Sequence, residues 1–306
     1  MLLQVRDLSK RFGGLLAVQN VSFTQYAGEV LAVIGPNGAG KTTLFNLLTG
    51  FDHADTGTWT VDGRSLARAY PHQVARHGVV RTFQLTKALA KLTVLDNVRL
   101  GATGQRGERM LGALLPWTWQ RQERAITERA MEMLTRFKLD AKADDLAGSL
   151  SGGQRKLLEM ARALMTDPSI VMLDEPMAGV NPALTQSLLG HIKSLREEGM
   201  TVIFVEHDMD VIRDISDWVV VMAQGSVIAE GPPSELSSNP AVVDAYLGSH
   251  HDQALEFDDE GNPVGATAEL ADALEQAEVS TLESGGDLSA PAAKVLVDIN
   301  EGQEPS

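Results

Sequence analysis

The stretch Gly35-Pro36-Asn37-Gly38-Ala39-Gly40-Lys41-Thr42-Thr43 reads G-x-x-x-x-G-K-[ST], the spacing of a phosphate-cradling loop. Its glycines let the backbone turn tightly, so N–H groups converge on phosphate oxygens. A helix starting at the end of the loop adds partial positive charge at the same point. Lys41 is placed to reach the β/γ-phosphates, and Thr42 to bind Mg²⁺. The candidate nucleotide contacts are Asn37, Gly38, Ala39, Gly40, Lys41, Thr42 and Thr43.

Two further stretches add chemistry. Ile170-Val-Met-Leu-Asp-Glu-Pro176 is an apolar run ending in two carboxylates. Asp174 can hold the Mg²⁺ shell, and Glu175 is then placed to polarise an attacking water. His207 closes another apolar run next to this candidate site and suits ligand sensing. Leu150-Ser-Gly-Gly-Gln-Arg-Lys156 opens a helix with Ser151 as its N-cap. One P-loop serves one nucleotide, so this second anion-suited helix N-terminus points to the phosphate of a second.

The elements that position these residues follow from pattern. Glu29 to Ile34 reads as a buried strand. Leu44, Phe45, Leu47 and Leu48 fall at helical spacing, with Gly50 as the stop. Residues 2–7, 18–26 and 57–64 read as strands of an antiparallel subdomain. Phe12, in the loop Lys10 to Gly14, either stacks on a purine or covers a sheet edge. Residues 66–148 read as mostly helical, with an apolar stripe of Ile126, Ala130, Met133, Leu134 and Phe137. Trp117 and Trp119 fall in a loop-like stretch after Pro116, where a partner surface and simple packing both fit. Asn181-Pro182 starts a helix, 200–205 is a strand, and Trp218–Ala223 with Ser226–Ala229 is a hairpin. Strands alternating with helices over 30–50 and 165–215 imply an α/β fold, a mostly parallel sheet with helices on both faces.

Composition narrows the class. The 306 residues carry a formal net charge of −15 and no cysteine, which removes disulfides and thiolate metal sites. Residues 249–306 hold 14 Asp/Glu and one Lys, so the acidity belongs to the tail and the body is nearly neutral. No basic stripe marks a nucleic-acid partner. Charges come too early in the N-terminal residues for a signal peptide. No apolar run approaches the ~18 residues that span a bilayer, so a soluble, cytoplasmic chain is expected. The tail's composition favours disorder, yet Leu270, Leu274, Ala277 and Leu282 approach helical spacing and Lys294 to Ile299 reads as a strand. A solvated extension and a docking or regulatory segment both remain open.

Taken together, the P-loop, Gln84, Leu150-Ser-Gly-Gly-Gln154, Asp174-Glu175 and His207 resemble the ATP-binding subunits of ABC transporters in order and spacing. The resemblance covers about residues 2–248. Lys10-Arg-Phe-Gly-Gly-Leu-Leu-Ala-Val18, Val80-Arg-Thr-Phe-Gln84, Glu175 to Pro182, Glu206-His-Asp-Met209 and Ala245-Tyr-Leu-Gly248 look like the branched-chain amino acid importer ATPases. It implies an ABC ATPase domain at 1–248, with a helical subdomain at about 85–160, and a tail at 249–306. It also implies ATP and Mg²⁺, and a head-to-tail dimer with a second ATPase subunit, either a copy of this chain or a related subunit, the resemblance favouring the related one. Gln84 joins Thr42 and Asp174 at the metal and acts in catalysis with Glu175 and His207. Phe12 stacks on adenine, while Ser151, Gly152 and Gly153 contact the γ-phosphate held by the partner. Membrane permease subunits supply the pore, coupled through roughly Leu85 to Leu100. A substrate-binding protein delivers the solute, and the ATPase sits peripherally on the inner face of the membrane. An exporter motor, or a non-transport ABC ATPase, is the alternative. Asn181 stands where the family commonly has Asp, which unsettles the ion-pair account of communication between the two sites.

Overall fold

A computed structural model describes residues 1–82, 89–103, 116–180, 182–236 and 239–250. Gln84, Asn181, most of the acidic tail and the side chains of Trp117 and Trp119 lie outside the described residues. Two sheets organise the rest. Strands β1 (Leu3–Phe12), β2 (Leu15–Gln25), β4 (Thr56–Val61) and β5 (Arg64–Ser65) form an antiparallel sheet in the order β2-β1-β4-β5. Strands β3 (Val30–Ile34), β6 (Val79–Arg81), β7 (Ile170–Asp174), β8 (Thr201–Val205), β9 (Trp218–Ala223) and β10 (Ser226–Gly231) form the second, in the order β10-β9-β3-β8-β7-β6. Its neighbours are parallel except for the β9/β10 hairpin.

The parallel strands are buried on both faces, as their continuous apolar runs require. Alternate residues serve opposite cores. Leu31 and Val33 of β3, with Ile203 and Val205 of β8, face helix α1 (Lys41–Leu48) and the antiparallel sheet. Val30, Ala32 and Ile34, with Val202 and Phe204, face the helical side. That side carries α3 (Val94–Arg99), α4 (Pro116–Arg136), α5 (Gly152–Leu164), α6 (Pro182–Glu197) and α7 (Met209–Ile215). Two short helices, α2 (Pro71–Arg76) and α8 (Pro233–Leu236), and the C-terminal α9 (Pro240–His250) complete the described chain. Gln25 ties the two sheets together, its buried amide donating to the carbonyls of Glu29 (3.1 Å) and Val202 (2.8 Å).

Three local expectations are corrected. Phe12 is not in a loop: the turn is only Gly13-Gly14, so Phe12 ends β1 and pairs with Leu15, as a two-residue Gly-Gly hairpin dictates. Residues 66–148 are not helical throughout, because Val79–Arg81 forms β6 on the edge of the parallel sheet. Gly78, at φ 83, turns the chain so that its carbonyl accepts from Ser169 and Ile170 ahead of β7. Trp117 and Trp119 lie on α4 rather than in a loop, since Pro116 starts that helix. Proline is tolerated in a first turn, where its missing N–H is not needed.

Candidate functional site

The P-loop connects β3 to α1, and its glycines do different work. A Cβ on Gly35 (φ 146) would lie 2.0 Å from the Met222 carbonyl oxygen, and one on Gly40 (φ 97) 2.3 Å from that of Ala17. Those two allow close packing against β9 and β2. Gly38 (φ 78) has nothing within 4 Å of its Cβ position, so that part of the loop is open to a ligand. Gly40 is the N-cap of α1 and offers no side chain to it, leaving the first N–H groups of the helix for an anion. Asn37, Gly38 and Thr42 are exposed, Gly40 and Thr43 half-buried and Ala39 buried. The Lys41 ammonium folds back over the loop, donating to the carbonyls of Gly35 (2.6 Å) and Pro36 (3.0 Å). Burial lowers its pKa, while Glu175 and Asp174 oppose that shift.

Asp174 ends β7 and Glu175 follows in the left-handed region at φ 46, a strained setting for a residue with a Cβ. Its amide donates to Val205 across the strand ends (3.1 Å), which aims the side chain beyond the sheet. Glu175 Oε1 and His207 Nε2 are 3.2 Å apart. Asp174 is ion-paired with Arg81 of β6, whose other nitrogen donates to Asn46 Oδ1 of α1 at 2.7 Å. The Arg81 guanidinium lies 5.5 Å from the centre of the Phe45 ring. So Asp174, Glu175 and His207 come together, and Lys41 is close enough to feel both carboxylates. Phe12 is 46% exposed, with the Lys10 ammonium 5.2 Å from its ring centre.

The second helix N-terminus is built as its sequence implies. Ser151 Oγ accepts from the Gln154 amide (3.3 Å), and the Gln154 side chain accepts from the Ser151 amide (3.1 Å), a reciprocal capping box. Gly152 is exposed and has nothing near its Cβ position, whereas Gly153 is buried, and a Cβ there would meet Leu184 Cδ2 of α6 at 1.7 Å. Gly152 leaves room for a ligand; Gly153 lets α5 pack against α6.

Mg²⁺ prefers few protein ligands, keeping waters and taking substrate phosphate oxygens. An exposed Thr42 hydroxyl at the head of α1 and the Asp174 carboxylate at the strand end fit that demand. Among the described residues no cluster of three or more His, Asp or Glu side chains could hold a metal alone. The residues therefore suit a metal that arrives with a nucleotide.

The family model for ABC transporters matches residues 18–178. The chain belongs to the ABC transporter ATP-binding family. Its members are ATPases, and this chain binds and hydrolyses ATP. A second model, for branched-chain amino acid ATP-binding cassette transporters, matches residues 226–252. A branched-chain amino acid transport ATP-binding protein from Archaeoglobus fulgidus is 43% identical over 248 residues, covering 81% of this chain and 96% of that protein. A high-affinity counterpart from Pseudomonas aeruginosa is 42% identical over 249 residues, covering 81% and 98%. The crystal structure of a nucleotide-free ATP-binding cassette from an ABC transporter superposes with a TM-score of 0.71 at 37% identity, over 80% of this chain and 98% of that one.

Three residues at the ABC ATPase site escaped the sequence reading. Besides Arg81, these are Lys156 and Glu206. Lys156 Nζ donates to the carbonyls of Glu175 (2.9 Å) and Ala178 (2.6 Å). Glu206 is 5% exposed and its Oε1 accepts from the Met177 amide at 2.7 Å. Burial pushes the Glu206 carboxyl up, against hydrogen bonds from Met177 and His207. Arg81 and Glu206 are charges at the ends of apolar runs, the one signal that could have singled them out, whereas Lys156 lies among polar residues of α5 and carries no such signal.

Proposed function

We propose that this chain is the motor of an importer for branched-chain amino acids or related amino acids and amides. The observation that carries the solute class is the match at residues 226–252, which lies beyond the nucleotide-binding elements common to all ABC ATPases. The likeness to branched-chain transport ATPases over 81% of this chain supports it.

In this reading the triphosphate enters along the open Gly38 face. Lys41 then exchanges two neutral carbonyls for phosphate oxygens, a stronger partner for an ammonium. Asn37, Ala39, Gly40 and Thr43 add loop and helix contacts, and Phe12 stacks on adenine. Thr42, Asp174 and Gln84 would hold Mg²⁺, which would supply positive charge beside the phosphate oxygens. Glu175 accepts the proton of the attacking water, and His207 fixes the Glu175 carboxylate. The exposed α5 N-terminus, with Ser151, Gly152 and Gly153, meets the γ-phosphate held by a second ATPase subunit. ATP binding closes that dimer, and hydrolysis with release reopens it.

No described helix is long and apolar enough to cross a membrane. Permease subunits supply the pore in this reading, a binding protein delivers the solute, and the chain docks on the inner membrane face. The test is reconstitution in vesicles with permease subunits and a binding protein of the branched-chain amino acid class. ATP-dependent uptake of labelled leucine, isoleucine or valine, or of a related amide, is the expected result. ATP hydrolysis stimulated by a different solute class would overturn the assignment.

A further inference from the structure

The turn from Glu175 to Ala178 is gripped from two sides by opposite charges. Lys156 donates to its first and last carbonyls, at 2.9 Å and 2.6 Å. Glu206 accepts from the Met177 amide between them at 2.7 Å. A cleft of about 340 Å³ lies beside this contact and is lined by both α5 and the turn. Thr82, Asn97, Gly152, Lys156, Asp174 and Ala178 are among its lining residues. Lys156 is a strut between helix and turn. Burial lowers its pKa, against the attraction of Glu206, Glu159 and Glu175.

The strut joins two functional ends. Lys156 sits on α5, just beyond the Ser151–Gln154 capping box. Its target is the carbonyl of Glu175, whose backbone is held at φ 46. A residue in that region relaxes unless its neighbours hold it there. The same helix is locked to α6 where Gly153 meets Leu184. A displacement of the α5 N-terminus is thus passed to the Glu175 backbone through a charge-assisted hydrogen bond.

We propose that Lys156 is a positioning residue for the Glu175 carboxylate, coupling the phosphate-facing end of α5 to hydrolysis in the chain's own site. This rests on reading Glu175 as the base. It also supplies a route between the paired sites that needs no carboxylate at position 181.

The experiment is a double-mutant cycle on the full chain, reading steady-state kcat and KM for ATP, single-turnover rates and melting temperature. Lys156→Met is expected to lower kcat roughly 10- to 100-fold, the scale of a displaced catalytic group. KM should stay within about twofold, as for a residue that does not bind ground-state ATP. Lys156→Arg, which keeps the charge and donors, should restore most of the turnover. In a Glu175→Gln background, Lys156→Met should cost nothing further, because residues acting as one unit are non-additive. Wild-type kcat in Lys156→Met would overturn the proposal, and so would an equal fold-loss in both backgrounds. If Lys156→Met does not fold, Lys156→Gln takes its place in the cycle with the same criteria. Near-normal turnover in Glu175→Gln alone removes the base reading itself. Lost turnover there with unaffected Lys156 variants removes only the strut.

Discussion

Arg81 and Asp174 form a buried ion pair at the neighbouring ends of β6 and β7. The side chains are 8% and 13% exposed, so water screens the pair weakly. Arg81 also donates to Asn46 and lies over Phe45, so one guanidinium links α1, β6 and β7. Its planar fork makes these contacts together, which an ammonium cannot do. The expected Mg²⁺ ligand is therefore held by a protein cation.

Removing one partner of such a pair strands a buried charge, at a cost of about 3–5 kcal/mol. Arg81→Met should accordingly lower the melting temperature by roughly 10 °C in a domain of this size. Arg81→Lys should fall between, keeping charge but losing the fork. Mg²⁺ with ATP supplies positive charge near Asp174, so it should raise the melting temperature of Arg81→Met more than that of the parent. Thermal melts with and without Mg²⁺ and ATP check this; an unchanged melting temperature would show that the pair is not structurally important.

Glu175→Gln keeps the shape of the side chain and can still meet His207, but it cannot accept a proton. Loss of a general base typically costs about 10²–10⁴-fold in rate. Turnover should fall by that factor while ATP binding persists, and ATP-bound dimers should accumulate. Parallel measurements of hydrolysis and of sedimentation with ATP test both halves.

Glu206 gives a pH signature. Burial raises its folded pKa above the ordinary 4.5. Below 4.5 the carboxyl is protonated in folded and unfolded chains alike, and it adds no pH dependence. As pH rises from 4.5 towards the raised folded value, the unfolded chain releases its proton first, and stability falls. Glu206→Gln still accepts from Met177 but does not ionise. The variant's melting temperature relative to the parent should therefore climb over that interval and then level off. Melts from pH 4 to pH 8 measure the difference, and a flat difference would mean that this carboxyl is not held up by burial.

What the sequence reveals here is what consecutive residues decide. The P-loop is legible because its turn, its open glycine and its lysine follow one another. Val30–Ile34 and Thr201–Val205 are legible because both faces of each strand are buried. Ser151 is legible as a cap because its partner Gln154 is one helical turn away. The chemistry assembled through space is not. Arg81 and Asp174 are 93 positions apart, and Lys156 meets a backbone carbonyl, which no side-chain pattern announces. β6 spans only Val79–Arg81, too short for alternation to show, and it exists because β7 offers it an edge. Pro116 looks like a helix breaker until its place in the first turn of α4 is known.

The C-terminal boundary is the remaining question that the fold sharpens. Val242 of α9 is 5% exposed within the core, and Tyr246 packs against the same cluster. Burial pushes the Tyr246 phenol up to about 12, with the Gly35 amide acting against that shift. So α9 reaches the first glycine of the P-loop, while the acidic residues beyond it belong to a segment outside the described chain. We predict that a chain stopped at Gly248 keeps the melting temperature and basal ATPase activity of the full chain. A chain stopped at Asn239 loses Val242 and Tyr246, and burying one such apolar side chain is worth about 1.5–3 kcal/mol. Its melting temperature should drop by several degrees, with ATP affinity falling as the P-loop loses its neighbour. Expressing both truncations beside the full chain decides the matter. Insolubility or lost turnover in the longer one would make the acidic tail part of the folded motor. Identical behaviour of the two would detach α9 from the P-loop. Unchanged basal turnover in the longer chain, with altered turnover once permeases are present, would assign the tail a regulatory role.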